Sequence, residues 1–100
     1  NSESVQAWYN KGVALSALGE YEGAIATYDK VLILDATHDN ALTGRGIAWF
    51  HLENYAAATA DLEAALALNP DNSLAQDTLT ALLEAQPVES LSVTPPPPLF

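Results

Sequence analysis

Apolar residues recur along this chain at the spacing of helices rather than strands. Trp8, Leu15 and Leu18 share a face of a first segment, with Gly12 among them. The pattern breaks at Gly19-Glu20 and resumes with Ala24, Ile25, Tyr28, Val31 and Leu32. A third segment carries Leu42, Gly46, Trp49 and Leu52, and a fourth carries Ala58, Leu62, Ala65 and Leu66. Asn69-Pro70 stops the fourth, because proline disfavours helical geometry in the residue before it. A fifth helix is predicted from about Asn72 to Gln86, with Ala75, Leu79, Leu82 and Leu83 on one face, and Pro87 ends it. The expected fold is all-α.

The helices come in copies. Displacing the sequence by 34 residues aligns Ala7 with Ala41, Gly12 with Gly46, Ala14 with Ala48 and Leu18 with Leu52. The register continues through Tyr21 and Tyr55, Ala24 and Ala58, Ala26 and Ala60, Leu32 and Leu66, and Leu34 and Leu68. An ungapped run of this kind marks a tandem repeat of a two-helix unit. Gly12 and Gly46 each cost about 1 kcal/mol of helix propensity, so packing must explain them. Close crossings against Ala24 and Ala58 are the expected reason. Within the same helix, Gly46 is expected to be packed against the fourth helix and Gly44 to face the groove, where a leucine would improve helix propensity by about several tenths of a kcal/mol. Arg45 and Asp61, flanking the tight crossing, are expected to pair.

Trp8, Gly12, Ala24 and Tyr28 in the first copy, with Gly46, Tyr55, Ala58, Ala65 and Pro70 in the second, resemble the tetratricopeptide repeat (TPR) pattern. The period agrees with that family. The resemblance implies antiparallel helical hairpins stacked as a right-handed α-solenoid: two TPR units plus a C-terminal fifth helix. The expected units are residues 1–38, residues 39–72, a capping helix or truncated third repeat at 73–86, and a proline-rich extended tail at 87–100. Three positions depart from the pattern. Ala36 stands where a helix-ending proline is usual, so the first junction is expected to run on or fray. Leu42 replaces a tryptophan-like residue, with Trp49 as a candidate compensation. Thr80 falls where Gly12 and Gly46 predict glycine.

The resemblance also implies a concave face lined by the first helix of each unit. In copy one that lining is Gln6, Tyr9, Asn10, Val13 and Ala17; in copy two it is Asn40, Thr43, Gly44, Ile47, Phe50 and His51. The fifth helix adds Leu74, Asp77, Thr78 and Ala81. Helical spacing places each set on one stripe, away from the core-facing stripe. The amides can bridge to an extended backbone, and Tyr9, Ile47 and Phe50 can pocket apolar side chains. Some family members hold C-terminal carboxylates in a basic clamp. The corresponding positions here, Tyr9, Val13, Gly44, Leu74 and Thr78, carry no Lys or Arg.

Charge narrows the partners. Thirteen acids against three bases give a net charge of −10, which repels nucleic acid and anionic membranes. A neutral, apolar or basic protein segment is the expected ligand. Cysteine is absent, so thiolate metal sites and disulfides are excluded. His38 and His51 have no second ligand at helical spacing, and Asp61 and Glu63 point to different helix faces; no metal, no cofactor and no catalytic set is expected. Methionine is missing even at position 1, so the chain is read as a piece of a longer protein, with its compartment open. Residues Thr94 to Phe100 favour polyproline II, and Pro95 and Pro98 form a P-x-x-P spacing. They are read as a spacer, or as a segment docking in a groove, in trans making a homodimer. The expected function is a non-enzymatic interaction module, adaptor or scaffold that holds a peptide in its concave groove. A self-assembling scaffold, joined through end faces or the tail, is the alternative.

Overall fold

The computed structural model describes residues 4–85, in five helices and no strand. In chain order these are α1 (Val5–Ala17), α2 (Tyr21–Leu34), α3 (Asp39–His51), α4 (Tyr55–Leu68) and α5 (Ser73–Ala85). Each helix packs on the next, and α1 reaches α3 as α3 reaches α5. The first helices of successive hairpins therefore lie side by side along one face. None of the described helices is long and apolar enough to cross a membrane. The proline-rich tail and its expected docking lie outside the described residues.

The helix starts and stops obey the repeat period. Ser4 Oγ accepts from the Ala7 amide, His38 Nδ1 from Ala41, and Asn72 Oδ1 from Ala75. These three caps stand one period apart, each satisfying an amide that the first turn leaves unpaired. His38 can accept at Nδ1 only with that nitrogen unprotonated. Within each hairpin the turn is a Schellman motif. The Glu20 amide donates to Leu15 and the Gly19 amide to Ser16; Asn54 donates to Trp49 and Glu53 to Phe50. Gly19 takes φ 81° and Glu53 takes φ 64°, so the second turn holds a glutamate in the left-handed region at a cost of about 1–2 kcal/mol.

The first inter-repeat junction does not run on. α2 ends at Leu34 without a proline, because Asp35 stops it: its Oδ1 accepts from both the amide and the hydroxyl of Thr37. Asn69, one period later, makes the same turn with the Asp71 amide. These bonds hold the exposed Asp35 carboxyl below its ordinary value, the Thr37 hydroxyl contributing most.

Two linked cores fill the stack. The first gathers Ala24, Tyr28, Val31 and Ala41, with Trp8, Tyr9 and Leu15 packed against them. The second gathers Leu42, Ala58, Leu62, Ala65, Ala75 and Leu82, with Trp49, Phe50 and Tyr55 alongside. Leu32 touches both. Two leucines assigned to core faces lie outside: Leu18, the cap residue of α1, is 72% exposed, and Leu83 is 47% exposed. Leu18 sits past the last turn that meets α2, and no described helix follows α5 to cover Leu83.

The glycines differ from expectation. A β-carbon at Gly12 would lie 2.7 Å from the Tyr28 ring rather than against Ala24. One at Gly44 would lie 2.5 Å from Cζ of the same ring. Gly44 therefore has no room for a leucine: Tyr28, on α2, sits between Gly12 of α1 and Gly44 of α3. Gly46 is also packed, with Leu62 at 3.0 Å and the Ala58 carbonyl at 3.3 Å. Gly23, by contrast, would make only ordinary contact with Leu15 at 3.6 Å.

Arg45 pairs with Asp61 as expected. Its Nε and Nη2 donate to the two carboxylate oxygens, each at 2.8 Å, and its Nη1 donates to Asp29 at 2.7 Å. One guanidinium thus joins α3 to α4 and to α2, and these bonds, Asp61's first, raise its pKa further above the ordinary arginine range.

Two stability predictions follow from these contacts. Gly23→Ala should stabilise by up to about 1 kcal/mol through helix propensity, whereas Gly44→Ala should destabilise by about 1–3 kcal/mol by displacing Tyr28. Thermal unfolding of the two variants should therefore shift in opposite directions. Asp61→Ala should cost about 1.5–3 kcal/mol by stripping charge-assisted bonds from Arg45. The paired change Arg45→Met with Asp61→Leu should recover most of that loss, as measured by urea unfolding.

Candidate peptide-binding groove

Side by side, α1 and α3 wall a cavity of about 330 Å³. α1 contributes Tyr9, Val13, Ser16 and Ala17; α3 contributes Asn40, Gly44, Ile47 and His51; α2 supplies Tyr21 and Tyr28, and α5 supplies Leu74. The floor exists because of the glycine notch. With no side chain at Gly44, the Tyr28 ring reaches the cavity although only 2% of that residue is exposed.

Aromatic contacts fix the walls. Tyr9 stands 6.0 Å from Tyr28 and 4.9 Å from the His38 imidazole, measured between ring centres. Tyr21 and His51 stack at 4.5 Å with their planes 6° apart, joining the first hairpin to the second at one end of the groove. Burial and the neighbouring Tyr9 push the Tyr28 phenol up to about 12. Burial, with the nearby Asp39 carboxylate, also raises Tyr9.

Of the site residues named from sequence, Tyr9, Val13, Asn40, Ile47, His51 and Leu74 converge on the cavity, as do Ala17 and Gly44. The others do not line it. Gln6 and Asn10 are exposed, and the Gln6 amide donates to Asn10. Thr43 is fully buried: its hydroxyl donates to the Asp39 carbonyl and accepts from Asn72 Nδ2. The junction with α5 closes over Thr43, so it cannot meet a ligand. Phe50 packs on the second core beside Tyr55, the first residue of α4, at 5.9 Å. Thr78, Asp77 and Ala81 lie outside the cavity lining. Neither histidine is simply solvated, since His38 caps α3 and His51 stacks on Tyr21.

Sequence reasoning missed Ser16, Tyr21 and Tyr28 as lining residues. Tyr21 carried a signal, its recurrence as Tyr55 at the start of the second hairpin's return helix. Tyr28 was assigned to the core, which is correct for its burial but overlooks the face that Gly44 uncovers. Among the described residues no group of His, Asp and Glu is placed to hold a metal ion.

Tetratricopeptide repeat profiles match residues 5–38 and 40–72. The chain belongs to the tetratricopeptide repeat family. A human relative, an FK506-binding protein-like protein, is 42% identical over 62 residues, covering 62% of this chain and 18% of that one. The TPR chain thus spans a small part of that relative. Among solved structures, the first TPR of Spaghetti (RPAP3) bound to the HSP90 peptide SRMEEVD superposes with a TM-score of 0.80. It is 28% identical, over 91% of this chain and 72% of that one. The Arabidopsis OM64 TPR domain gives 0.79 at 27% identity, over 86% and 71%. TPR domains are protein-interaction modules, and the two hairpins with α5 are such a domain.

The Tyr28 phenol yields a pH prediction. A phenol raised in the folded state stabilises fully below its unfolded value near 10, and that contribution is lost as pH rises towards about 12. Stability should therefore fall across this alkaline window. Tyr28→Phe should flatten the component, read from thermal unfolding at a series of pH values.

Proposed function

We propose that this TPR domain holds an extended peptide segment of a partner protein in the groove between α1 and α3, acting as a non-enzymatic adaptor or scaffold. The observation that carries the proposal is the convergence of four helices on one apolar-walled cavity with a polar group, Asn40, at its edge. Tyr9, Val13, Ile47 and Leu74 would bury a ligand's side chain, while the Asn40 amide nitrogen would donate to its backbone, the Asn40 side-chain oxygen being held by Asn72. The HSP90 peptide held by the Spaghetti (RPAP3) domain supports the reading that a fold of this kind grips a short segment. Gln6, Asn10 and Thr78 would act at the margins of a longer segment.

The test places charge where the ligand would lie. Val13 and Leu74 line the groove at 44% and 54% exposure, so Val13→Glu with Leu74→Glu should fold normally. The double variant is expected to lose the partners that the parent chain captures, with an unchanged circular dichroism spectrum. Capture that survives both changes would place binding on another surface.

A further inference from the structure

The chemistry of the groove's surroundings allows the ligand class to be narrowed, on the assumption that the groove is the binding site. All three basic side chains of the protein are located elsewhere. Arg45 is held by Asp29 and Asp61. The Lys11 and Lys30 ammonium groups lie 5.2 and 5.6 Å from the Trp8 ring, and Trp8 does not line the groove. No Lys or Arg lines the cavity. Acids, by contrast, stand close in the chain to its lining residues. Asp39 precedes Asn40 and raises the Tyr9 phenol electrostatically. Glu20 precedes Tyr21, and Asp77 lies one turn beyond Leu74 on α5. With a net charge of −10 on the chain and no Lys or Arg in the lining, the groove is expected to concentrate cations and repel carboxylates.

The walls add a second requirement. Val13, Ile47 and Leu74 offer aliphatic surface, while Tyr9 and the stacked Tyr21–His51 pair offer aromatic surface above the nearly buried Tyr28. A large apolar side chain would fill such a cavity. The methylene stem of a lysine or arginine could lie along a tyrosine, its charge over the ring face. We propose that the groove selects an internal peptide segment in which a bulky apolar residue adjoins Lys or Arg, and that it discriminates against acidic segments and free C-terminal carboxylates. Apolar burial supplies the anchor, and the acidic rim supplies the selectivity.

A library of random peptides, displayed on phage and selected on the full chain, decides the matter. A Val13→Gln, Leu74→Gln variant, which removes aliphatic surface from the lining without adding charge, serves as the counter-selection. Enrichment of sequences combining a large apolar residue with net positive charge is expected. For a representative enriched peptide, replacing either the apolar residue by Gly or the basic residue by Glu should weaken binding at least about tenfold, by fluorescence anisotropy. The charge effect should shrink at high salt. A third chain, Val13→Lys with Leu74→Lys, should reverse the charge preference. Enrichment of acidic sequences, or of apolar ones without charge bias, that is lost on the groove variant would overturn this ligand class and leave groove binding intact. Selection indifferent to the groove variants would overturn the binding site itself.

Discussion

The Tyr28 ring, held between two residues that lack side chains, is the contact on which the rest of the stack depends. α2 inserts it between Gly12 and Gly44, and even a methyl group at either glycine would collide with it. The two front helices can therefore lie beside one another with α2 behind them. The same ring closes the floor of the groove. Packing and binding surface share one side chain, so substitutions in the notch act on both.

Around that contact, one architecture is made with two chemistries. His38 and Asn72 occupy equivalent positions and cap their helices alike. At the first junction His38 lies against the ring of Tyr9. At the second, Asn72 donates instead to Asp39, Asn40 and Thr43, with Thr43 standing where Tyr9 stands one repeat earlier. The first junction thus leaves a flat ring facing the groove, whereas the second engages Thr43 and the Asn40 side-chain oxygen internally. This explains why Tyr9 lines the cavity and Thr43 does not.

Much of the fold was legible because identity at a fixed spacing specifies helix number, pairing and stacking order together. The pairing of Arg45 with Asp61 was legible for the same reason, since both flank one crossing. What could not be read were contacts made by a neighbouring helix. Helical spacing puts Gly44 on the front stripe but does not reveal that Tyr28 reaches it from α2. It puts Thr43 there too, although Asn72 arrives 29 positions later in the chain to cover it. Phe50 sits at the edge of its stripe, and the start of α4 at Tyr55 draws it inward. Val13, Ile47 and Leu74 lie near the middle of their stripes, where no neighbouring helix covers them, and they line the cavity.

Leu32 belongs to both cores, and α1 and α3 touch directly. In a linear repeat array, stability divides into the intrinsic stability of each unit and the coupling between neighbours. A residue shared by two cores contributes to the coupling. Opening of the first hairpin would remove one flank of Leu32 and unstack Tyr21 from His51. The second hairpin would then lose part of its own packing. The two units are therefore expected to unfold as one cooperative block, and the groove between them requires both to be folded.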